Sequence, residues 1–411
     1  MKYEKLRIIS YNRPDEFEAT YVERFNNPTC FRTQLVINPY SVREARRITD
    51  ERFPLFYLPL PELLKLEQTI YRNSKNIENM LIDLPVTVHR KMLVNYVLDE
   101  VWSSNEIEDV KSTKKELEAA AQERTTERSL PFKGIVTQYL DIIESKYEKI
   151  KTVEDLRLIY DKLFLGDIDK ENYPDGNLFR ARTVYVGGAN NSIHEGLPSE
   201  ELIVEALESL INFMNDDGYP VLAKASITHY FFEYVHPFYD GNGRFGRFIL
   251  SSYLARKLDI FSGISFSGAV RESRKKYMDA FAEVSEEKNK GEITHFIMAL
   301  YELIIDGQNK VLEDLLISQA QYKFAKNYLN SLDHVSEQEK EILKLYVEDH
   351  LFRFDTPIEN RALAKELDIT FPTLKKRMQN LIDKGMIMEI KKKPLIHALS
   401  EEFIKSMGSS S

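Results

Sequence analysis

The stretch HPFYDGNGRFGR, residues His236–Arg247, connects two segments whose apolar residues predict buried helices. Pro237 cannot continue a helix, so the first helix is expected to end near His236. The second helix is expected to begin after Gly243. The sequence therefore predicts a polar helix–loop–helix elbow inside an apolar core, and this elbow indicates both the fold and the position of a site.

The two glycines of the elbow, Gly241 and Gly243, flank Asn242 and allow backbone conformations that other residues avoid. Successive N–H groups in such a loop can point inward and bind an anion. The N-terminus of the following helix adds the positive end of its dipole at the same place. We therefore expect an anion to bind at this loop.

Charged residues in the same stretch indicate what kind of anion it is. Arg244 and Arg247 lie three apart on the first turn of the predicted helix, where two cations oppose the helix dipole unless a polyanion lies between them. The planar guanidinium of arginine suits phosphate oxygens. Asp240 is a hard oxygen ligand of the kind that Mg²⁺ takes together with phosphates and water. His236 can accept a proton from a hydroxyl near neutral pH.

The stretch also resembles a known family. Residues 236–247 match every fixed position of the Fic motif, HPFx(D/E)GNGRxxR, and with the flanking helices the resemblance covers residues 60–330. Fic proteins are mostly α-helical, and most transfer AMP from ATP to a Ser, Thr or Tyr hydroxyl of a target protein. The resemblance implies His236 as general base and Asp240 as the Mg²⁺ ligand. The residues that it implies for nucleotide binding are Asp240, Gly241, Asn242, Gly243, Arg244 and Arg247.

A second element, SNEIED, resembles the family's inhibitory helix, (S/T)xxxE(G/N), with Ser104 and Glu108 in place. The resemblance implies that Glu108 pairs with Arg247 and displaces the γ-phosphate of ATP. A carboxylate and a phosphate compete for the same guanidinium, which makes this form of autoinhibition physically reasonable. Asp109 stands where the family has Gly or Asn, residues that favour the left-handed turn at a helix end.

Residues 183–197 predict a hairpin, since TVYV and SIHEG flank the turn sequence GGANNS. In the family such a hairpin is a flap beside the active site, on which a target segment lies as an added strand. We expect Ile193, His194 and Glu195 to form that edge, although an ordinary surface hairpin remains an alternative. His229 is expected to be a packed structural histidine.

Composition restricts the class of protein. The net charge of -9 argues against a chain that binds nucleic acid along its whole length, and one cysteine, Cys30, excludes an intrachain disulfide. The first residues do not resemble a signal peptide, and no apolar run is long enough for a membrane span. We therefore expect a cytoplasmic protein with no membrane partner.

The predicted fold class is mainly α, a Fic helical fold with a small β-hairpin flap, followed by a winged helix-turn-helix domain. Residues 1–125 are expected to form the N-terminal arm and helices including the inhibitory helix, residues 126–330 the catalytic domain, and residues 331–411 the winged helix. Residues 336–411 contain 13 Lys and Arg residues and 13 Asp and Glu residues, so their charges balance. Basic residues nevertheless cluster on the expected recognition helix and wing at Lys375, Lys376, Arg377, Lys391, Lys392 and Lys393, a pattern that suits phosphate contacts.

Two functional readings from different classes remain open at this point. The first is an adenylyltransferase that uses ATP and Mg²⁺, modifies a Ser, Thr or Tyr hydroxyl of a target protein or of itself, and is restrained by Glu108. The second is an ATP-sensing transcriptional regulator whose C-terminal domain binds duplex DNA; that domain could equally bind a protein, or a second copy of the chain in a homodimer. A Fic enzyme that removes AMP or transfers another phosphate group is a further alternative. An intact His236 and Asp240 favour the transferase.

Overall fold

The computed structural model of the chain describes residues 3–41, 43–44, 46–164, 166–186, 194–352, 360–392 and 395–408. The predicted flap residue Ile193 and the predicted wing residue Lys393 lie outside the described residues. Contacts divide the chain into two units, one made of Met1–Ile77 and Val94–Val311, the other of Glu78–Leu93 and Leu312–Ser411. The three-part division expected from the sequence stays a prediction.

Helices dominate the described residues, which confirms the mainly α fold class. They are α1 (Leu6–Asn12), α2 (Pro14–Asn26), α3 (Pro61–Leu81), α4 (Val86–Ile107), α5 (Lys114–Gln122), α6 (Lys133–Ile143), α7 (Val153–Phe164), α8 (Glu200–Asn215), α9 (Val221–Val235), α10 (Asn242–Lys257), α11 (Ile260–Gly263), α12 (Phe266–Glu272), α13 (Arg274–Ser285), α14 (Thr294–Asn330), α15 (Glu337–Phe352), α16 (Asn360–Glu366), α17 (Phe371–Asp383) and α18 (Glu401–Gly408).

The described strands form antiparallel pairs. They are β1 (Phe31–Ile37) with β4 (Phe53–Tyr57), β2 (Tyr40–Ser41) with β3 (Arg46–Arg47), β5 (Tyr185–Val186) with β6 (His194–Glu195), and β7 (Ile387–Lys392) with β8 (Leu395–Leu399). The N-terminal arm expected from the sequence contains α1, α2 and the strands β1–β4. Pro54 lies within β4. Because β4 and β1 form a two-stranded ribbon, the missing N–H of the proline can face away from the partner strand.

The core of the first unit is built around α9 and α10, which pack against each other. All residues from Leu222 to Phe232 in α9 are buried, and so are all residues from Asn242 to Ser251 in α10. Helices that are buried on every face lie in the interior of a domain. The polar loop between them is therefore held between two buried helices, as the sequence predicted.

The second unit has its own apolar core. Ile342, Leu343 and Tyr346 of α15 pack with Leu374 and Leu381 of α17, and β7, β8 and α18 complete the cluster. The N-terminus of α15 has a capping box: the Glu339 N–H donates to Ser336 Oγ at 3.4 Å, and Glu339 Oε2 accepts from the Ser336 N–H at 3.0 Å. The order of α16, α17 and the β7–β8 hairpin is the order expected for a winged helix. The winged-helix assignment itself stays a prediction.

None of the helices that the structure describes is long and apolar enough to cross a membrane.

Candidate functional site

The loop between α9 and α10 reverses the chain through two left-handed residues. His236, directly after α9, has φ 51°, and Gly241, directly before α10, has φ 81°. At Gly241 the left-handed conformation explains the glycine, and a Cβ there would also lie only 3.1 Å from the Phe164 ring. Helix α10 begins at Asn242, slightly before the position expected from the sequence.

The side chain of Asn242 braces this loop. Its Oδ1 accepts from the Phe238 N–H at 2.9 Å, and its Nδ2 donates to the Phe238 carbonyl at 2.8 Å. Both polar groups of the amide are thus engaged within the loop, and the residue is 2% exposed. The side chain of Asn242 therefore supports the backbone of the loop, and the contact between Asn242 and a nucleotide stays a prediction.

The carboxylate of Glu108 lies against the N-terminus of α10. The first intrahelical bond of α10 runs from the Phe245 N–H to the Gly241 carbonyl, so the N–H groups of residues 242–244 precede the helical ladder. A Cβ at Gly243 would lie only 2.0 Å from Glu108 Oε1, which places the carboxylate directly beside this residue. Glu108 thus occupies the region in which the sequence predicts a bound phosphate.

Arg247 connects the same carboxylate to α4. Its Nη1 lies 2.8 Å from Glu108 Oε1. Its Nε donates to Ser104 Oγ at 3.0 Å, and its Nη2 donates to the Ser104 carbonyl at 3.0 Å. The Arg247 side chain is 1% exposed and that of Glu108 is 37% exposed. Burial by itself would lower the pKa of Arg247, but the combined effects of Glu108, Tyr277 and Glu233 raise it above its usual value. The structure brings together Ser104, Glu108 and Arg247, the three residues predicted to form the inhibitory contact.

Asp109 adopts the left-handed conformation that the family's Gly or Asn would favour, with φ 55°. Its carboxylate pairs with Arg274 at 3.0 Å, and this contact lowers the pKa of Asp109. Aspartate is one of the residues that tolerate this conformation, because its short side chain can find polar partners. The departure from the family pattern thus leaves the end of α4 in the expected turn.

Arg244 and Asp240 form a second polar pair in the loop. Arg244 Nη2 donates to Asp240 Oδ1 at 3.2 Å, and the guanidinium carbon lies 4.8 Å from the centroid of the Phe164 ring. Arg244 Nε is buried and has no acceptor among the described residues. A buried donor without an acceptor is costly, and a phosphate oxygen would satisfy it.

His236 faces the cleft that is also lined by Glu108, Gly243 and Arg247. Burial, with a further contribution from the charge of Arg180, lowers the pKa of His236 to about 4, so the imidazole is neutral at pH 7. Its Nδ1 lies 3.3 Å from the Glu233 carbonyl and 3.8 Å from Glu233 Oε2. A bond from Nδ1–H to the carbonyl would leave Nε2 unprotonated and able to accept a proton.

The two described residues of the predicted target edge, His194 and Glu195, are both engaged with the rest of the unit. His194 Nε2 lies 3.0 Å from the Tyr234 carbonyl, and its ring centroid lies 6.4 Å from that of His236. Glu195 Oε2 accepts from the Arg47 N–H at 3.0 Å, and the Glu195 carbonyl accepts from the Arg47 side chain. On the other strand of the hairpin, Tyr185 is 48% exposed. His194 and Glu195 are half-buried, and their role as a target-docking edge stays a prediction.

Three buried polar residues around the loop were missed by sequence reasoning. Glu233 lines the cleft, and burial together with the charge of Glu108 raises its pKa to about 8. Glu100, 1% exposed, accepts bonds from Ser251 and from the backbone and side chain of Ser267. Arg180, 0% exposed, binds the His236 carbonyl. Only Glu233 gave a signal, since it precedes His236 by three residues on a helix; Arg180 and Glu100 lie far from the motif in sequence.

His229 is packed as predicted: it is 2% exposed, and its Nε2 lies 2.7 Å from the Tyr277 hydroxyl. In the C-terminal unit, Lys375 and Lys376 are exposed on α17, whereas Arg377 donates to Gln338 Oε1 at 2.5 Å. DNA binding by this unit stays a prediction.

Comparisons with known proteins agree with the motif. Residues 151–254 match the model of the Fic/DOC family, so the chain carries a Fic domain. A probable protein adenylyltransferase of Aquifex aeolicus (strain VF5) is 27% identical over 192 residues, which are 46% of this chain and 55% of the Aquifex protein. Protein adenylyltransferase Fic of Drosophila ananassae is 30% identical over 105 residues, 26% of this chain and 20% of the Drosophila protein. The chain thus matches about half or less of the length of these relatives.

Among solved structures, a Fic family protein from Desulfovibrio desulfuricans G20 has a similar fold. The TM-score is 0.51 at 16% sequence identity, and the similarity covers 84% of this chain and 98% of that protein. At this identity the similarity supports the Fic fold.

Proposed function

We propose that this chain, which carries a Fic domain over residues 151–254, transfers AMP from ATP to a hydroxyl group of a protein and is held at rest by Glu108. The observation that carries the proposal is that a neutral histidine, His236, and the N-terminus of α10 with Arg247 line one cleft. This arrangement puts a base and a polyanion site beside each other. The names of the Aquifex and Drosophila relatives agree with this reaction.

The triphosphate would bind at the start of α10. The backbone N–H groups of Asn242 and Gly243 and the guanidinium groups of Arg244 and Arg247 supply donors and positive charge there. Arg244 Nε, buried without an acceptor among the described residues, would gain a phosphate oxygen. These donors are fixed by the fold before the substrate binds, which is the condition for electrostatic stabilisation of a transition state.

A magnesium ion is implied by the resemblance, and the residues fit it in part. Asp240 is the carboxylate at the loop, its side chain is 43% exposed, and its Oδ1 accepts from the Gly241 N–H at 2.5 Å. Among the described residues there is no cluster of three or more His, Cys, Asp or Glu side chains that could hold a metal by themselves. One carboxylate suits Mg²⁺, which commonly takes its other ligands from phosphates and water. When bound, the ion would neutralise charge on the phosphates.

The proposed reaction is an in-line displacement at the α-phosphorus of ATP. The target hydroxyl oxygen forms the new bond to the α-phosphorus as the bond to the pyrophosphate oxygen breaks, and His236 takes the hydroxyl proton. The low pKa of His236, about 4, keeps the ring in the neutral form that can accept this proton at pH 7. Arg244 and Arg247 stabilise the charge on the leaving pyrophosphate.

In the resting state Glu108 would exclude the terminal phosphate. Its carboxylate contacts Arg247 and Gly243, two of the groups that the γ-phosphate would use. ATP could then bind only with its phosphates displaced from the in-line geometry. Because the Glu108 side chain lies partly in solvent, the contact can open without unfolding the core.

The test is incubation of the wild type, Glu108→Gly and His236→Ala with Mg²⁺ and ATP labelled at the α-phosphate, alone and with cell lysate. We expect weak labelling of protein by the wild type, strong labelling by Glu108→Gly and none by His236→Ala. Parallel reactions with γ-labelled ATP separate AMP transfer from phosphate transfer. Release of label from a product already carrying AMP would identify the reverse reaction.

The proposal would be wrong if folded Glu108→Gly transferred no α-label, or if Glu108→Gly/His236→Ala transferred as much as Glu108→Gly. Circular dichroism and thermal melting establish that each variant is folded. Labelling by Glu108→Gly no stronger than by the wild type would leave the transfer reaction intact and refute autoinhibition alone.

A further inference from the structure

Arg180 is a completely buried cation whose guanidinium, among the residues that the structure describes, binds backbone carbonyls and no side chain. It is 0% exposed, and it follows Asn177, Leu178 and Phe179, whose N–H groups bond to the Glu200 carboxylate at 2.9, 2.6 and 2.9 Å. These bonds hold the segment that carries Arg180 at the N-terminus of α8. The side chain is therefore positioned from outside the cleft.

The acceptors of the guanidinium come from two places that are distant in sequence. Nε donates to the His236 carbonyl at 2.7 Å and Nη2 to the Val235 carbonyl at 3.3 Å, both at the end of α9. Nη1 donates to the Leu197 carbonyl at 2.6 Å and to the Arg182 carbonyl. Arg182 and Leu197 lie on either side of the β5–β6 hairpin, so one side chain ties both ends of the hairpin to the residue that carries the imidazole.

A carbonyl clamp of this kind does not require a buried charge. Among the described residues no carboxylate lies within ion-pair distance of Arg180, and burial lowers its pKa to about 10. Placing an unpaired cation in the interior costs free energy that a neutral donor would avoid. The charge therefore has a use in this place that goes beyond hydrogen bonding.

That use is found at His236. A Cβ at Gly196 would lie 2.4 Å from Arg180 Nη2 and 3.2 Å from His236 Cβ, so the guanidinium lies close to the base of the His236 side chain. A cation at this distance opposes protonation of the ring. After burial, the charge of Arg180 is the largest influence that lowers the pKa of His236.

We propose that Arg180 is a positioning residue for the proposed transfer, which sets the left-handed backbone of His236, opposes protonation of its ring, and fixes the flap hairpin relative to that ring. The inference rests on the proposed role of His236 as the base. It adds a residue from outside the motif and connects the place where a target strand would lie with the group that would take its proton.

Other charged or titratable groups also face His236 from the elements packed around it: Glu108 at the end of α4, His194 of β6, Glu233 of α9, Asp240 of the loop and Arg247 of α10. Glu108 and Asp240 favour the protonated ring, whereas Arg180 opposes it. Burial lowers the pKa of His194 well below its usual value, and it is therefore neutral at pH 7. The effect of Arg180 can be isolated by variants that leave all these groups in place.

The experiment measures the protonation of His236 directly, by NMR of the full chain labelled at histidine Cε1. There are 8 histidines, and the His236 signal is assigned by its loss in His236→Ala. The variants are Arg180→Met, Arg180→Gln, which keeps two N–H donors without the charge, and Arg180→Lys, which keeps the charge without the planar fork. Arg157→Lys is the matched control, because Arg157 also binds a backbone carbonyl, that of Leu178 at 2.7 Å, but does not bond to His236.

With a pKa of about 4, His236 in the wild type is about one-tenth protonated at pH 5. We expect removal of the charge in Arg180→Met and Arg180→Gln to raise the pKa by about one unit, so that about half of the ring is protonated at pH 5. Arg180→Lys and Arg157→Lys should keep the wild-type protonation. In the Glu108→Gly background, the acidic limb of the pH profile of AMP transfer should move with the NMR value.

An unchanged His236 pKa in whichever of the two neutral variants folds would overturn the proposal, and so would an equal rise in Arg180→Lys. If neither neutral variant folds, amide exchange in Arg180→Lys decides: faster exchange of the Gly196 and Leu197 N–H groups is expected, and unchanged exchange contradicts the clamp. Because NMR reads the ring without any transfer, a chain that fails to transfer AMP would refute the proposed function and leave this measurement interpretable.

Discussion

The Glu108–Arg247 contact predicts a graded release of activity when the carboxylate is first neutralised and then removed. Glu108→Gln keeps an acceptor for Arg247 but loses the charge, and Glu108→Gly loses both. In either variant Arg247 keeps its bonds to Ser104 Oγ and to the Ser104 carbonyl, each at 3.0 Å, and therefore stays in position to bind a phosphate. The perturbation thus changes the competitor and leaves the phosphate-binding guanidinium in place.

The magnitude follows from the geometry of the pair. A hydrogen bond between charged groups contributes about 1.5–3 kcal/mol, and the partial exposure of Glu108, 37%, places this contact at the lower end, about 1.5 kcal/mol. Since 1.4 kcal/mol corresponds to a factor of ten, Glu108→Gly should raise the rate about tenfold at subsaturating ATP. A neutral hydrogen bond is about half as strong as a charge-assisted one, so Glu108→Gln should give about a threefold increase.

The assay is the initial rate of α-label incorporation at ATP concentrations below saturation, together with nucleotide affinities from calorimetry. ATP affinity should follow the same order as the rates, whereas ADP, which has no γ-phosphate, should bind all three proteins within about twofold. Glu106→Gln is the control, because Glu106 is exposed on the last turn of α4, two residues before Glu108, and makes no ion pair within the described part of the chain. Equal rates in the wild type and Glu108→Gly, or an ADP affinity that rises as steeply as that for ATP, would refute competition for Arg247.

The remaining predictions concern the pH dependence of the reaction and the residues that support the loop. Because the pKa of His236 is about 4, loss of the neutral ring should not slow AMP transfer by Glu108→Gly between pH 6 and 8, and the rate should fall only below about pH 5. A pH–rate profile measures this, and a fall in rate centred near pH 6.5 would contradict it. Gly243→Ala should displace Glu108, since the new Cβ would lie 2.0 Å from Oε1. It should not raise the rate of AMP transfer, because the methyl group also fills the position of the phosphate. Labelling stronger than that by the wild type would contradict this prediction. Burial raises the pKa of Glu100 from 4.5 to about 7, so between these values the folded protein binds more protons than the unfolded one and this residue's contribution to stability falls as pH rises. Glu100→Gln should lower the free energy of unfolding by about 1–3 kcal/mol at low pH, and this difference should shrink towards pH 7, as melting temperatures would show. A difference that grows with pH would contradict this explanation.

The loop itself could be predicted from sequence because its features are local. Pro237 ends one helix, Gly241 permits the left-handed turn before the next, and Arg244 and Arg247 share one helical face by their spacing alone. The same holds for the capping box of Ser336 and Glu339. Such patterns act on the backbone within a few residues, so that no knowledge of the fold is required to recognise them.

The ribbon of β1 and β4 could not be predicted in the same way, because Pro54 reads as a breaker until the edge position of its strand is known. The contact between Arg47 and Glu195 was likewise out of reach of the sequence. Arg47 precedes Glu195 by a long stretch of chain, and only the folded arrangement places it beside β6. Partners that are distant in sequence are determined by packing, for which a single sequence provides no signal.

The sequence by itself determined that His236, Asp240 and the two arginines share one polar loop between buried helices, because helix periodicity and turn chemistry are properties of neighbouring residues. The tertiary structure decided which groups those residues meet. It placed the carboxylate of Glu108 at Arg247, engaged the side chain of Asn242 within the loop, and set Arg180 behind His236. The physical reason is that burial and the charges of distant neighbours determine the protonation state and the partners of a side chain, and both arise only when the chain is folded.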